Sequence, residues 1–210
     1  MTTAILFDID GTLVDSNYLH VEAWSHGFAG AGLDVDQWKV HRRIGMDSDQ
    51  LLEELVPDAT DDQLSQAKTL NSAYYTDLMP RLRVFAGARE KIAELAQAGY
   101  TVVLATSAPD AELEVLRELL GVDEHLAVVT SASDVDAAKP APDLLHVALE
   151  RAGVEASDAV MIGDSVWDMI AATRAGVRGI GVLTGGVSAA ELRDAGAAIV
   201  YESVAEVVID

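Results

Sequence analysis

The sequence predicts an α/β protein whose core is a doubly wound parallel sheet and which carries an inserted helical domain. Three observations lead to this prediction. Short apolar runs alternate with amphipathic stretches, the runs are apolar throughout rather than at every second residue, and glycines follow the amphipathic stretches. Strands that are apolar on both faces and separated by single helices are typical of a sheet covered by helices on both sides. We therefore expect a Rossmann-like core.

Six apolar runs are the predicted strands of this sheet, because they are short and bounded by turn residues. They cover residues 5–7, 100–105, 126–129, 159–162, 179–183 and 198–201. Five stretches between them repeat apolar residues at helical spacing and are predicted helices. These helices cover residues 88–97, 111–120, 144–152, 166–175 and 189–195.

The stretch from residue 16 to residue 83 interrupts this alternation. It contains no convincing strand, and its helical patterns cover residues 19–31, 36–42, 48–55 and 61–79. The chain is therefore predicted to form a core domain of residues 1–15 and 84–210 and a helical cap domain of residues 16–83. Because the cap follows the first strand, we expect it over the carboxyl edge of the sheet, where such folds bind ligands.

Composition excludes several classes of function. The 210 residues include 35 Asp and Glu against 14 Lys and Arg, a formal charge of −21, and no cysteine. This balance speaks against nucleic acid and anionic membranes as partners, since both require clustered cations. Without cysteine there is no disulfide, zinc-thiolate site or thiol nucleophile. The start of the chain has no signal-peptide pattern and no run approaches the ~20 apolar residues of a membrane span, so we expect a cytoplasmic protein. Both a monomer and a homodimer are open.

Aspartates stand at the ends of two predicted strands. Asp8 and Asp10 close the first strand, Asp164 closes the strand at 159–162, and Asp168 follows four residues later. The carboxyl ends of parallel strands share one sheet edge, so Asp8, Asp10 and Asp164 can converge there. Carboxylates that lie this close repel one another and favour a bound cation. Because no thiolate or imidazole stands beside them, a hard cation is expected, and Mg²⁺ is the default. The alternative for Asp8 and Asp10 is an ordinary turn at the Asp-Gly step. The alternative for Ser165 and Asp168 is a capping box at a helix start, and Asp168 can at the same time support a metal ligand.

Two more polar positions follow predicted strands. Thr106 ends the strand at 100–105, and Ser107 leads into a helix, where a hydroxyl and free amides can bind phosphate. An ordinary helix start is the alternative. Lys139 is one of four lysines, and Pro140 holds it out of the helical region. It can balance the carboxylates and a phosphoryl group, or it can be a solvated loop lysine.

Together these residues resemble the haloacid dehalogenase superfamily of phosphotransferases over nearly the whole chain. Residues 8–16, DIDGTLVDS, resemble its first motif, Thr106 its second, Lys139 its third, and residues 163–168, GDSVWD, its fourth. The helical insertion is similar to the cap of the subfamily that includes phosphoglycolate phosphatases and β-phosphoglucomutase.

The resemblance implies a phosphatase that acts on a small phosphorylated metabolite through an aspartyl-phosphate. Asp8 would attack phosphorus, and Asp10 would protonate the leaving alcohol and then activate water. Mg²⁺ would be held by Asp8, the backbone carbonyl of Asp10, and Asp164. The phosphoryl oxygens would be held by Thr106, Lys139 and the amides of Ile9 and Ser107.

Residues of the cap are candidates for substrate binding. The resemblance places His20 and Trp24 where β-phosphoglucomutase keeps a histidine and a tryptophan of its cap, and Arg43 beside Gly45 can reach an anionic substrate. Structural roles are equally open for His20, Trp24 and Arg43.

A sugar-phosphate mutase like β-phosphoglucomutase is the alternative function. Its cap has an arginine just after the cap glycine and a lysine near the position of Leu70, and this chain lacks both, which favours hydrolysis. A dehalogenase would have a non-acid in place of Asp10, and a phosphonate hydrolase would have a cap lysine that the stretch 42–46 does not offer. A catalytically inactive binding protein of this fold would not require the mutually repelling carboxylates of Asp8 and Asp10.

Overall fold

The computed structural model describes residues 2–135 and 137–209. It divides into two compact units: the first runs up to Asp15 and resumes at Arg83, and the second is Ser16–Leu82. Within the described ranges, no helix has both the length and the apolar content that a bilayer span requires.

A six-stranded parallel sheet forms the centre of the first unit. In sheet order its strands are β5 (Val128–Thr130), β4 (Thr101–Ala105), β1 (Ala4–Phe7), β6 (Ala159–Gly163), β7 (Arg178–Val182) and β8 (Ala197–Tyr201). Strand β1 pairs in parallel with β4 on one side and β6 on the other. The predicted fold class is confirmed, and each of the six apolar runs overlaps a strand whose ends differ from the prediction by at most two residues.

A short antiparallel ribbon joins the two points at which the chain leaves and re-enters the first unit. Its strands are β2 (Val14–Asp15) and β3 (Arg83–Val84), with Val14 opposite Val84 and Asp15 opposite Arg83. The expectation that no strand lies between residues 16 and 83 is therefore wrong at Arg83. Two residues are too few to show a period in the sequence, which is why the ribbon was missed.

The second unit is helical. Its helices are α1 (Asn17–Gly30), α2 (Gln37–His41), α3 (Ser48–Leu55) and α4 (Asp61–Leu78), and they lie within the four predicted patterns except for the first two residues of α1. Helices α1 and α4 pack so closely that a Cβ on Gly27 would lie 2.5 Å from the carbonyl oxygen of Ala67. The absence of a side chain at Gly27 allows this approach, and Phe28 and Tyr75 fill the interior beside it.

Helices of the first unit flank the sheet. They are α5 (Ala88–Gln97), α6 (Asp110–Leu120), α7 (Asp143–Ala152), α8 (Val166–Ala175) and α9 (Ala189–Asp194). Short 3₁₀ turns of this unit occupy Asp123–His125, Ala132–Asp134, Ala156–Asp158, Leu183–Gly185 and Val204–Glu206, and one more, Met79–Arg81, belongs to the second unit. One sheet face packs on α7 and α8 through a cluster of buried residues: Leu6, Val103, Ala105, Met161, Leu144, Leu145, Ala148, Ala171 and Ala172.

We expect Val103→Ala to lower the free energy of unfolding by about 2 kcal/mol, because it removes two buried carbons and leaves a cavity in this cluster. Val208→Ala is the matched control, since Val208 is 59% exposed, and its effect should stay below about 0.5 kcal/mol. Urea unfolding of both variants measures the difference, and equal midpoints would contradict the assignment of this core.

Candidate active site

Polar residues predicted to form the site lie at the carboxyl ends of neighbouring strands. Strands β4, β1, β6 and β7 are adjacent in the sheet in that order. Thr106 follows β4, Asp8 follows β1 and Asp164 follows β6, and all three are buried. Burial of polar groups at this edge is the pattern expected of a ligand site in a parallel α/β fold.

Lys139 bridges two of the carboxylates. Its side chain is completely buried, and its Nζ donates to Asp8 Oδ1 at 2.5 Å and to Asp168 Oδ1 at 2.7 Å. A buried charge must be paired, because removing a single ion from water costs roughly several kcal/mol. The structure therefore excludes the solvated loop lysine that the sequence left open.

Asp168 is held from two directions. Its Oδ2 accepts hydrogen bonds from the backbone N–H of Ser165 at 3.0 Å and from the Ser165 hydroxyl at 2.6 Å, while its own N–H donates to Ser165 Oγ at 3.2 Å. This confirms the predicted capping box at the start of α8. Because Asp168 Oδ1 accepts from Lys139, both carboxylate oxygens are engaged, and Asp168 orients the lysine.

Asp164 is held by the loop after β1, and that loop is in turn held by the loop after β7. The Thr12 hydroxyl donates to Asp164 Oδ1 at 2.9 Å, and the Thr184 hydroxyl donates to the carbonyl of Gly11 at 2.6 Å. Gly11 takes the turn after Asp10 with a φ of 75°. Neither threonine was singled out from the sequence. Thr12 lies inside the first motif, and Thr184 begins a Thr-Gly-Gly stretch after an apolar strand, which was the available signal.

The residues present fit a hard divalent cation. One carboxylate oxygen from each of Asp8, Asp164 and Asp168 lies within 4.8 Å of the others, and all three residues are buried. Carboxylate oxygens are the ligands that Mg²⁺ takes in proteins. This group contains the Asp168 carboxylate and not that of Asp10, from which the sequence expected only a backbone carbonyl. Since hydrogen bonds already engage both oxygens of Asp168, Asp8 and Asp164 are the better-placed ligands.

Burial and charge shift the pKa values of this cluster. Burial raises the pKa of Asp8 well above its ordinary value, Lys139 partly offsets this, and the carboxylates of Asp168, Asp164 and Asp10 raise it further. Burial alone would lower the pKa of Lys139, but its charge interactions and hydrogen bonds with Asp168 and Asp8 outweigh burial, so the pKa is raised. Lys139 is therefore a permanent cation at neutral pH.

The loop after β4 contains two buried hydroxyl groups. Thr106 Oγ1 accepts a hydrogen bond from the N–H of Ala108 at 3.1 Å, and the Ser107 hydroxyl has no hydrogen-bond partner among the described residues. In the loop after β1, the Ile9 carbonyl accepts from the N–H groups of Leu13 and Val14 and fixes the turn. Thr106, Ser107 and Ile9 thus stand in the two loops that follow adjacent strands.

The cap candidates have partners within the second unit. Trp24 is buried and stacks on Phe28, with ring centroids 5.4 Å apart. His20 is half-buried and stacks on Tyr75 at 3.9 Å. The third candidate is an arginine, Arg43, whose Nε lies 3.0 Å from a carboxylate oxygen of Glu54. Gly45 turns the chain between α2 and α3 with a φ of 92°. These contacts account for each residue structurally, and their roles toward a substrate stay predictions.

Comparison with known proteins agrees with the geometry. The family model of haloacid dehalogenase-like hydrolases matches residues 5–182. A phosphoglycolate phosphatase of Rhodospirillum rubrum is 30% identical over 98% of this chain and 89% of its own length. The pyrophosphatase PpaX of Bacillus velezensis is 30% identical over 86% of this chain and 82% of its own. A crystal structure of a hydrolase from Pseudomonas syringae has a TM-score of 0.92 and 32% identity, covering 98% and 95% of the two chains.

In metal-free protein, we expect the free energy of unfolding of Asp8→Asn, relative to that of the wild type, to depend on pH. The raised pKa of Asp8 means that its ionisation costs the folded state free energy once the pH exceeds the ordinary aspartate value of about 3.9. Below that value Asp8 is protonated in both states and the cost is absent. The free energy of unfolding of Asp8→Asn, relative to that of the wild type, should therefore rise as the pH rises from about 4 toward 7.

Urea unfolding in the presence of a chelator measures this dependence. The exposed Asp194→Asn is the matched control and should show no such growth. Adding Mg²⁺ should reduce the difference, since a cation stabilises the ionised Asp8. A difference in stability between Asp8→Asn and the wild type that does not change with pH would contradict the electrostatic account.

Proposed function

The chain belongs to the family of haloacid dehalogenase-like hydrolases, and we propose that it is a Mg²⁺-dependent phosphatase that hydrolyses the phosphate monoester of a small metabolite. One observation carries the proposal: Lys139 is buried in contact with Asp8 and Asp168, beside Asp164, at the carboxyl edge of the sheet. The names of two relatives, phosphoglycolate phosphatase and pyrophosphatase, support a small phosphorylated substrate.

Asp8 is the proposed nucleophile. Its carboxylate oxygen bonds to phosphorus while the bond from phosphorus to the ester oxygen breaks, which gives an aspartyl-phosphate and releases the alcohol. Lys139 supports this step because it fixes Asp8 through a 2.5 Å hydrogen bond and places a permanent positive charge at the nucleophile. The charge lowers the repulsion between the carboxylate and an anionic phosphoryl group.

Asp10 is the proposed general acid and base. It donates a proton to the ester oxygen as the alcohol leaves, and the resulting carboxylate then takes a proton from the water that attacks the aspartyl-phosphate. Two observations support this role. Asp10 is only partly buried. Its backbone pairs with Val14 in an isolated β-bridge, at the turn where the N–H of Gly11 donates to the Val14 carbonyl at 2.8 Å. A partly exposed carboxyl can exchange protons with water.

Asp8, Asp164 and the backbone carbonyl of Asp10 are the proposed ligands of Mg²⁺. When bound, the ion would neutralise charge on the phosphoryl oxygens and align the phosphorus with Asp8. Asp168 acts on this set indirectly, since it orients Lys139 and is itself held by Ser165. Thr106 and the amides of Ile9 and Ser107 are the proposed donors to the remaining phosphoryl oxygens.

Selection of the substrate is assigned to the cap. The proposal keeps His20, Trp24, Arg43 and Gly45 as its candidate residues, and His20 is only half-buried. The formal charge of −21 supports a small metabolite as partner, in place of nucleic acid or an anionic membrane. The proposal places the enzyme in the cytoplasm as a monomer or homodimer.

Phosphate release should require both Mg²⁺ and Asp8. We expect turnover of at least one ester in a panel of phosphoglycolate, sugar phosphates, nucleoside monophosphates, pyrophosphate and an aryl phosphate, with loss of activity on chelation. Asp8→Asn should reduce release to background, because the nucleophile is removed. Asp194→Asn, the exposed control, should keep wild-type activity. Release from none of these compounds by the wild type would overturn the phosphatase assignment.

Asp10→Asn should slow the breakdown of the aspartyl-phosphate. General acid–base groups contribute about 10²–10⁴-fold to rate, and an activated aryl phosphate needs little protonation of its leaving group. With that substrate the loss should therefore fall on the second step, and the phosphorylated enzyme should accumulate in acid-quenched samples analysed by intact mass spectrometry. A variant that loses activity without accumulating phosphoenzyme would argue against Asp10 as the base for hydrolysis.

The mutase is tested in the same panel. The cap positions at which the resemblance implies cations carry Met46, which is buried, and Leu70, whose side chain packs against Gly30. Neither side chain can bind a second phosphate, so a sugar 1-phosphate supplied with its bisphosphate should be hydrolysed and not isomerised. Net conversion to the 6-phosphate would replace the phosphatase by the mutase.

A further inference from the structure

The loop after β7 contacts the candidate active site, and it belongs to none of the four sequence motifs. Strand β7 is the neighbour of β6 in the sheet, and the 3₁₀ turn Leu183–Gly185 follows it directly. Thr184 donates its hydroxyl hydrogen to the Gly11 carbonyl at 2.6 Å. Gly185 is buried against Asp164, so closely that a Cβ on it would lie 1.7 Å from Asp164 Oδ2 and 2.6 Å from its Cγ.

We infer that Thr184 and Gly185 are positioning residues of the phosphatase site, Gly185 for the carboxylate of Asp164 and Thr184 for the turn that carries Asp10. The inference rests on the proposed function, because it concerns the residues that would hold Mg²⁺ and transfer the proton.

Gly185 acts by leaving space. Its φ lies outside the left-handed region, so an alanine is compatible with the backbone there, and the carboxylate of Asp164 is the group it would strike. To restore even the shortest tolerable separation of 3.0 Å, Oδ2 would have to retreat by 1.3 Å. On its other oxygen the carboxylate accepts the Thr12 hydroxyl at 2.9 Å, so this displacement also strains or breaks that hydrogen bond.

Such a displacement matters for Mg²⁺ more than for most ligands. The ion demands near-octahedral geometry with oxygens at roughly 2.0–2.1 Å. A carboxylate moved by more than half of that distance no longer serves as a ligand in the same site. The glycine therefore sets the affinity for the ion without touching it.

Thr184 acts on the turn after Asp10. The N–H of Gly11 is fixed by the Val14 carbonyl at 2.8 Å, and the carbonyl of Gly11 is fixed by the Thr184 hydroxyl. Gly11, the residue that follows Asp10, is thus held through both its N–H and its carbonyl, once from its own loop and once from the loop after β7. Loss of the Thr184 bond releases the carbonyl of Gly11 and lets the Asp10 carbonyl and carboxyl move.

The first test is the affinity of Gly185→Ala for Mg²⁺, measured by isothermal titration calorimetry on the chelator-treated and dialysed protein. We expect the Kd for Mg²⁺ to rise about 10- to 100-fold, the range seen when groups that orient metal ligands are altered. Gly181→Ala is the matched control. It lies on β7, where a Cβ would press on Leu192 at 3.0 Å and on Val200 at 3.3 Å, away from the carboxylates. It should alter stability while leaving the Kd for Mg²⁺ unchanged.

The second test is a pair of substitutions at Thr184. Thr184→Val removes the hydroxyl and keeps the shape, and it should lower kcat about tenfold with KM little changed. Thr184→Ser restores the donor and should recover wild-type kcat to within about twofold, since it rebuilds the same hydrogen bond. A residue with a purely structural role would not show this rescue. The pair also keeps the inference open to refutation if Gly185→Ala does not fold.

The outcomes separate the inference from the function on which it rests. A wild type that binds Mg²⁺ and releases phosphate, together with a Gly185→Ala that binds Mg²⁺ normally, overturns the role of Gly185 and leaves the phosphatase intact. Equal kcat for Thr184→Val and wild type overturns the role of Thr184. A wild type that neither binds Mg²⁺ nor releases phosphate removes the proposed function and this inference with it.

Discussion

The buried ammonium group of Lys139 is the constraint around which the rest of the site is arranged. A fully buried cation is stable only when it is paired with negative charges and hydrogen-bond acceptors. Removing one partner of a buried ion pair typically costs about 3–5 kcal/mol. Its acceptors, Asp8 and Asp168, come from the loop after β1 and the start of α8, while Lys139 itself lies on the loop before α7. Three distant segments must therefore meet before the charge is satisfied, so the site forms only when the sheet edge does.

The charge balance of this cluster explains why a divalent cation fits it. Three buried carboxylates, those of Asp8, Asp164 and Asp168, face a single lysine, which leaves the cluster negative and repels a phosphate ester. The protein as a whole, with a formal charge of −21, adds to that repulsion. A bound Mg²⁺ would cancel the remaining negative charge of these four side chains and relieve the repulsion among the carboxylates. One ion would thus serve both stability and substrate binding.

The core of the site could be predicted from the sequence because it follows from sheet geometry. Once the runs at 5–7 and 159–162 are assigned as parallel strands, Asp8 and Asp164 must share an edge, whatever the details of the loops. The contacts of Lys139 could not be deduced, because they depend on the path of a long loop, and a paired and a solvated lysine look the same in sequence. Arg43 shows the same limit in the cap, since its contact with Glu54 on α3 depends on side-chain geometry. The stacking of Trp24 on Phe28 differs, because residues four apart on one helix are neighbours.

Glycines place the carboxylates of this site as firmly as the polar residues do. A Cβ on Gly163 would lie 2.5 Å from Asp168 Cγ, and a Cβ on Gly185 would lie 1.7 Å from Asp164 Oδ2. Each acidic side chain thus has a hydrogen-bond donor on one side and bare backbone close by on another. Hydrogen bonds alone define a direction, but close packing against backbone also removes the alternative rotamers, because protein interiors leave few voids. A site that must hold oxygens within tenths of an ångström needs both, and glycines beside the acids are therefore part of the binding geometry.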